Sequence, residues 1–457
     1  MNVEAITQTA CYNAPNENGK LSLRGKLSLR IVIVGCGIGG LSAAYCLGRA
    51  GHKVTVLERA SEITDVGAGI QVGPNLSRLL IRWGLGDQLE KLATKPEALN
   101  FLRYADGERV GWTKWGKTME DDHGAPYYHI HRADLLSMLH ELAAPYMTLR
   151  LASKVVAVDP GSQGCDASVR LASGDIFCAD LIIGADGLKS TVRVAVVGCA
   201  PPPLNTGYAA YRALVPTAAM LADPDLRGLV ESGEMMSWMG PEKHIIGYCI
   251  RGKTAYNLVL VHPDHRATDE PCMAANESYM AEGSVTQMRA DFAGWEPRIE
   301  KLLPLVDKAY VLPLMYREPL DGWVHPGGRI VLLGDAAHPT LPSRAQGSAM
   351  AVEDAAVLGV LLAAPRPLPL HAALRGYEAL RHARTTETQR AARANFAVFH
   401  LPDGPAQQAR DDSMRRAMDA SGRGDGSANM WADRAKNAAQ FGYDAEREAE
   451  AWCAENA

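Results

Sequence analysis

The chain has 457 residues, 47% of them hydrophobic and 22% charged, which suits a globular protein built as one cofactor domain with an inserted substrate domain. Its formal net charge is −5 and its basic residues are dispersed, which excludes the basic footprint that nucleic-acid binding needs. The nine cysteines form no CxxC or CxxxxC pair, so reduced thiols are expected rather than a disulfide framework or a flavin disulfide reductase.

Residues 1–29 read as a flexible lead with no apolar core for a secretory signal. KLSLR at 20–24 recurs at 26–30 and reads as a local duplication. No run approaches the roughly 20 apolar residues of a membrane span, so the cytoplasm is the expected location. From Arg30 the pattern is βαβ. Ile31–Val34 is a short apolar run typical of a strand buried on both faces, Leu41–Ala50 an Ala/Leu-rich helix closed by Gly51, and Lys53–Leu57 a second parallel strand. Two later runs, Leu181–Ile183 and Ile330–Leu333, end in Gly/Asp turns and are predicted to finish in the same sheet, where α/β folds place their ligands. Between them, alternating segments such as Ile245–Ile250 and Tyr256–Val261 predict an inserted antiparallel sheet. From Gln346 to about His400 the chain reads as helix interrupted by Pro365, Pro367 and Pro369, and 401–457 as polar and weakly helical.

The expected fold is therefore α/β: a Rossmann-type cofactor domain with a parallel sheet (30–95, 129–204 and 321–364) and a mostly antiparallel substrate domain (96–128 and 205–320). A C-terminal helical region (365–457) completes it.

Three motifs carry chemistry. Gly35-Cys36-Gly37-Ile38-Gly39-Gly40 follows a strand and opens a helix. Its glycines (Gly35, Gly37, Gly40) permit the tight turn, the approach of backbone to pyrophosphate, and helix–sheet packing, while the helix N-terminus favours the phosphates. Glu58, 18 residues after Gly40, is placed to accept hydrogen bonds from an unphosphorylated ribose, so FAD or NAD is preferred to NADP there. The second motif, Gly184 to Arg193, is a strand end carrying Asp186 and a helix start ending in a cation. The third runs from Gly334-Asp335 through His338 and Pro342 to Gln346-Gly347-Ser348. Asp335 can reach a sugar-like chain, and the helix N-terminus at Gly347-Ser348 suits an electron-rich ring carrying negative charge. His338 reads as a loop-fixing hydrogen bonder rather than a catalyst.

These motifs, in this order, resemble the class A flavin monooxygenases over about 30–400, and most closely the salicylate-hydroxylase-like branch that includes fungal biosynthetic FAD monooxygenases. Glu58-Arg59, Val66 to Ile70, His131 to Leu135, Ala349 to Asp354 and the closing Phe441 to Ala445 carry the likeness to that branch. The resemblance implies that Glu58 and Arg59 serve the cofactor, Glu58 on the adenosine ribose. Ala68 and Gly69 would line the flavin by backbone, Arg132 would contact the pyrophosphate or ribityl region, and Asp335 the ribityl chain. Asp186 would serve both FAD and the passing nicotinamide cofactor, and Gly347-Ser348 would face the pyrimidine edge. Arg193 and Tyr211 are the positions suspected of acting on substrate or oxygen intermediates. No metal is expected. The implied activity is transfer of one oxygen atom from O2, through a flavin hydroperoxide, to an electron-rich aromatic, with NADPH or NADH as reductant.

Three rivals differ in kind. A flavin halogenase would need a Trp-x-Trp-x-Ile-Pro segment, which is absent. A flavin-linked prenyl reductase would not incorporate oxygen, and a non-catalytic prenyl-binding escort protein would have no use for the Asp335 region. For the substrate, the Met235-Met236-Ser237-Trp238-Met239 segment and the small Ser343 beside the flavin suggest a bulky neutral heteroaromatic, with indole 2,3-epoxidation in alkaloid biosynthesis as the concrete case. Against this stand Arg212 and Arg344, either of which can clasp the carboxylate of a salicylate-type acid in aromatic catabolism.

Overall fold

The computed structural model describes residues 28–63, 67–162, 166–199, 201–265, 281–363, 368–419 and 424–456. Most of the expected N-terminal lead with its duplication, Val66, Pro365 and Pro367 lie outside the described residues.

Five parallel strands form the cofactor sheet, in the order Ile330–Leu332, Leu181–Gly184, Arg30–Val34, Lys53–Leu57, Met147–Arg150. The middle strands are apolar and β-branched because helices or loops cover both faces; Ile31, Ile33, Ile182 and Ile183 are at most 1% exposed. The edge strand Met147–Arg150 was not expected from sequence, since it buries only alternate residues, and only partly. Helix Ile38–Arg49 packs on this sheet through Leu41, Ala43, Ala44 and Leu47, each large side chain contributing about 1.5–3 kcal/mol by leaving water. The long buried helix Gly347–Leu361 crosses it so closely that a β-carbon on Gly359 would lie 2.7 Å from that of Cys46.

The second sheet has eight strands, in the order Ala281–Gly283, Ala309–Tyr316, Leu204–Pro216, Ala255–Pro263, Lys243–Ile250, Met235–Gly240, Ala98–Arg103, Arg109–Lys114. It is antiparallel except where Met235–Gly240 runs alongside Ala98–Arg103. Residues from 98–114 thus join strands more than a hundred residues away. One face of this sheet carries Trp238, Leu258 and Leu260 against the helices Val285–Asp291 and Pro297–Leu302. The other looks toward the cofactor sheet. A pair of short strands, Gly69–Val72 and Tyr128–His131, joins the two layers.

The C-terminal fifth is more ordered than its composition suggested. Helices Leu370–Phe399, Pro405–Asp419, Arg434–Phe441 and Ala445–Asn456 wrap both layers. Tyr377 donates to the Leu332 carbonyl (3.0 Å), and Phe399 and Trp431 pack on Phe101 of the substrate sheet. The region is a wall shared by the other two parts rather than a separate appendage. Among the described residues no helix is long and apolar enough to cross a membrane.

Candidate active site

The glycine turn leaves the sheet beside the end of Leu181–Gly184. Gly35 has φ +106°, and a β-carbon there would stand 2.4 Å from the Ala185 oxygen; one on Gly40 would stand 2.0 Å from the Gly35 oxygen. Both positions require glycine. Gly37 is different: nothing lies within 4 Å of where its β-carbon would be, and it opens onto a cavity of about 550 Å³ between the two sheets. That space, in front of the N-terminus of helix Ile38–Arg49, is what a pyrophosphate requires. Glu58 accepts from the Cys36 N–H (2.8 Å) and the Ala60 N–H (2.9 Å), which fixes its carboxylate beside the turn.

A second wall comes from Ala68, Gly69 and Arg132, all of which line the cavity. The Arg132 N–H donates to the Ala68 carbonyl (2.9 Å), and the Gly69 N–H donates to Asn257 Oδ1 (2.7 Å). Asn257 belongs to the substrate sheet and is fully buried, so it ties this wall to the opposite layer.

The third wall is the 3-10 turn Gly334–Ala336, which turns Asp335 toward the cavity. Surrounding protein raises the Asp335 carboxyl above the usual carboxylate range, against the opposing pull of His338 and Arg132. Behind the turn, Asp354 accepts from the Gly334 N–H (3.0 Å) and meets His338 Nε2 at 2.6 Å. His338 is therefore occupied in fixing the loop. Arg381 bridges Asp354 (2.8 Å) and Glu353 (2.7 Å) with all three side chains fully buried. Asn75 donates to Glu353 and to Gln346, holding the helix start that presents Gly347 and Ser348 to the cavity.

Several sequence-predicted residues do not reach the cavity. Arg59 is exposed beyond the strand end. The Asp186 carboxylate turns back to cap helix Thr191–Val197, accepting from the Ser190 hydroxyl and from the Thr191 (2.6 Å) and Val192 (3.2 Å) N–H groups. Its neighbours Ala185 and Gly187 line the cavity instead. Arg193 is 5% exposed, and its Nη1 donates to the carbonyls of Ala336 and Ala337 at 3.0 Å each, so it braces the Asp335 turn from behind. Tyr211 points to the far face of the substrate sheet, where its hydroxyl donates to Asp291 (3.1 Å). Strand alternation leaves Arg212, not Tyr211, facing the cavity. Arg344 is buried against Gln440, with its Nε 2.9 Å from Oε1, which removes it as a carboxylate clasp; burial lowers its pKa to about 10.

The substrate half of the cavity is built from alternate residues. Met235 and Ser237 come from one strand, and His244, Ile246 and Tyr248 from the next. Met236 and Trp238 point away, the Trp238 indole donating to Glu296 (2.6 Å). His244 Nδ1 lies 2.7 Å from His400 Nε2. Both imidazoles are buried, which pushes their pKa values down, that of His400 to about 3. Phe396, Phe399 and Trp431 close the chamber from the C-terminal region, and Ser343, with its hydroxyl bonded to the Ala392 carbonyl, leaves room beside them. His244 and Tyr248 fall on the alternation that marks a strand, so the period-2 pattern could have found them. Nothing local signals Trp431 or Asn257.

The family model described as an FAD binding domain matches residues 28–270 and 325–392. The chain belongs to this family. It is 34% identical over 429 residues to the FAD-dependent monooxygenase OpS4 of Beauveria bassiana, covering 91% of this chain and 95% of that one. It is 38% identical over 390 residues to the 3-amino-4-hydroxybenzoate 2-monooxygenase PtmB3 of Streptomyces platensis, with 85% and 93% covered. Among solved structures, Klebsiella pneumoniae HpxO in complex with FAD and uric acid matches with a TM-score of 0.72 and 26% identity over 85% of this chain and 93% of that one. The chain is a class A flavin aromatic monooxygenase, using FAD with NAD(P)H and O2. The open space at Gly37, the amide-lined turn and the acid at Asp335 offer the room and the polar groups that the pyrophosphate and ribityl chain of FAD require.

Proposed function

We propose that the chain hydroxylates an aromatic acid that also carries a ring hydroxyl. The carrying observation is that Arg212 and His244 both face the substrate half of the chamber, beside Ser237, Tyr248 and apolar side chains such as Met235, Ile246 and Phe399. FAD would lie with its pyrophosphate at Gly37, its ribityl chain at Asp335 and its ring edge at Gly347-Ser348, with Ala68 and Gly69 alongside. Bound there, it supplies the redox chemistry: hydride acceptance from NADH or NADPH and delivery of one oxygen atom of O2.

The chain's own residues do the rest. Arg212 pairs with the substrate carboxylate, a charge-assisted contact worth about 1.5–3 kcal/mol. His244, kept neutral by burial, accepts a hydrogen bond from the ring hydroxyl at Nε2 when its Nδ1–H is given to His400. That hydrogen bond draws on the hydroxyl proton and enriches the ring for attack by an electrophilic oxygen. Phe399 and Trp431 exclude water from the reacting centre. The name of the Streptomyces relative, a hydroxybenzoate monooxygenase, supports this reading. Free cysteines, six among the described residues, suit a cytoplasmic setting.

A second reading, epoxidation of a bulky neutral indole at its 2,3 double bond, is favoured by the breadth of the apolar wall and by Ser343. One experiment separates them. NAD(P)H oxidation is measured with labelled O2 on amino- and hydroxybenzoates, their methyl esters, and indole alkaloids, for wild type and Arg212→Met. Coupled turnover of acids only, with KM raised more than about tenfold (1.4 kcal/mol) in Arg212→Met, supports the acid. Coupled turnover of indoles or esters at wild-type efficiency in the variant sinks it.

A further inference from the structure

The far face of the substrate sheet holds a second cluster of chemistry-bearing groups, separated from the cavity by the sheet itself. His262 is on the strand Ala255–Pro263, on the side opposite Val259 and Val261, which line the cavity. Its ring stacks on Tyr211 with centroids 4.3 Å apart and planes 13° from parallel. Three residues on, past the strand end, stands His265. Both face Asp291, the last residue of helix Val285–Asp291.

Asp291 Oδ1 lies 3.0 Å from His265 Nε2 and 2.9 Å from the Gln287 amide nitrogen. Its Oδ2 accepts from the Tyr211 hydroxyl (3.1 Å) and is 3.9 Å from His262 Nδ1. One potential ligand atom from each of His262, His265 and Asp291 falls within 4.8 Å of the others. We propose that His262, His265 and Asp291 form a binding site for a divalent transition-metal ion.

Four features carry this. Two imidazoles with one carboxylate are the donor set for zinc, nickel, cobalt or iron(II), and the wrong one for calcium or magnesium, which need mostly oxygen ligands. A tetrahedral ion with bonds of about 2.0–2.1 Å needs ligand atoms roughly 3.3 Å apart, so the triad is at or within about 1.5 Å of closure. His265, more than half exposed, already stands 3.0 Å from Asp291 and can adjust toward His262, while the His262 and Asp291 side chains are buried at 3% and 5% exposure. Finally, the His262 nitrogen nearest Asp291 is Nδ1, which also meets the Pro263 carbonyl at 2.7 Å, while Nε2 is buried with no hydrogen-bond partner among the described residues. With its Nδ1–H held by the carbonyl, His262 would bind an ion through Nε2, the presentation that metal-ligating histidines show.

Lys243 binds the main-chain carbonyl of Asp291, not its carboxylate. Tyr211 takes the place of an outer hydrogen bonder that orients the carboxylate. The ion would pin the end of a cavity-lining strand to the helix beneath it.

The test uses tag-free, FAD-loaded protein, stripped with a chelator and dialysed against ZnCl2. Metal per flavin is counted by mass spectrometry, and the melting temperature is followed against zinc concentration. One zinc per chain is expected, with a melting temperature that climbs with zinc as mass action requires and no response to MgCl2 or CaCl2. His265→Ala, an exposed position that spares the fold, is expected to weaken zinc binding at least tenfold with flavin content unchanged; Asp291→Asn tests the carboxylate. Substoichiometric zinc, or His265→Ala binding zinc as wild type does, overturns the site and leaves a hydrogen-bonded cluster.

Discussion

At the floor of the cavity the groups offered to a cofactor are mostly main-chain ones: the turn at Gly37, the backbone of Ala68 and Gly69, and the helix start at Gly347-Ser348. On the substrate sheet opposite, the cavity is lined by the side chains of Arg212, Ser237, His244 and Tyr248. A main-chain site depends on φ, ψ and close approach, so most substitutions there damage the fold or the cavity shape. A side-chain site on alternate strand positions can be rewritten without moving the backbone. Oxygen-transfer machinery and substrate choice are therefore independently adjustable in this molecule.

The contrast breaks most sharply within the glycine turn. Gly40→Val is expected to yield no folded protein, because its β-carbon would lie 2.0 Å from the Gly35 oxygen. Gly37→Val is expected to fold normally yet lose FAD affinity by more than about tenfold, because it fills only the open space. Circular dichroism and flavin absorbance of the purified proteins decide; a Gly37→Val protein that retains its flavin removes the pyrophosphate from that place.

The buried ion cluster comes next. Arg381→Met removes the guanidinium that pairs with Asp354 and should cost about 3–5 kcal/mol in denaturant unfolding, with flavin released early as the Gly334 turn loosens. A cost below 1 kcal/mol would mean that Arg384 compensates for both acids.

Arg193→Met removes two charge-assisted bonds to the Ala336 and Ala337 carbonyls. Each such bond is worth about 1.5–3 kcal/mol. The loss should appear as weaker FAD binding with substrate KM unchanged in the flavin-saturated enzyme. If coupling falls while FAD affinity holds, Arg193 acts on the reaction after all. The smallest effect is expected at Tyr211→Phe: about 0.5–1.5 kcal/mol of stability from one hydrogen bond, and turnover per NAD(P)H within twofold of wild type. A collapse in coupling would bring Tyr211 back to the reaction.

Neighbouring Tyr211 and Arg212 show what the sequence could and could not say. Alternation announces a strand, but a register change of one residue exchanges its faces, and no local signal tells which face looks at a cofactor. The Gly35–Gly40 turn and the Gly334–Ser348 stretch were legible because their chemistry is contained in a few consecutive residues. The His244–His400 contact spans 156 residues and the Asn257–Gly69 bond 188, so only the folded topology brings them together. Asp186 illustrates the same limit: a strand-end acid before a helix serves equally as a cap, and its carboxylate caps Thr191–Val197 here.

The order of the cofactor sheet also sets a timetable for synthesis. Arg30–Val34 must wait for Leu181–Gly184 to fill its flank, and that strand waits for Ile330–Leu332. At about 5–20 residues per second, the roughly 300 intervening residues leave an apolar, unpaired strand edge on the ribosome-bound chain for about 15–60 s. Such an edge invites pairing with other nascent chains, so the yield of active protein should depend on translation speed and chaperone supply more than the finished molecule's stability would suggest.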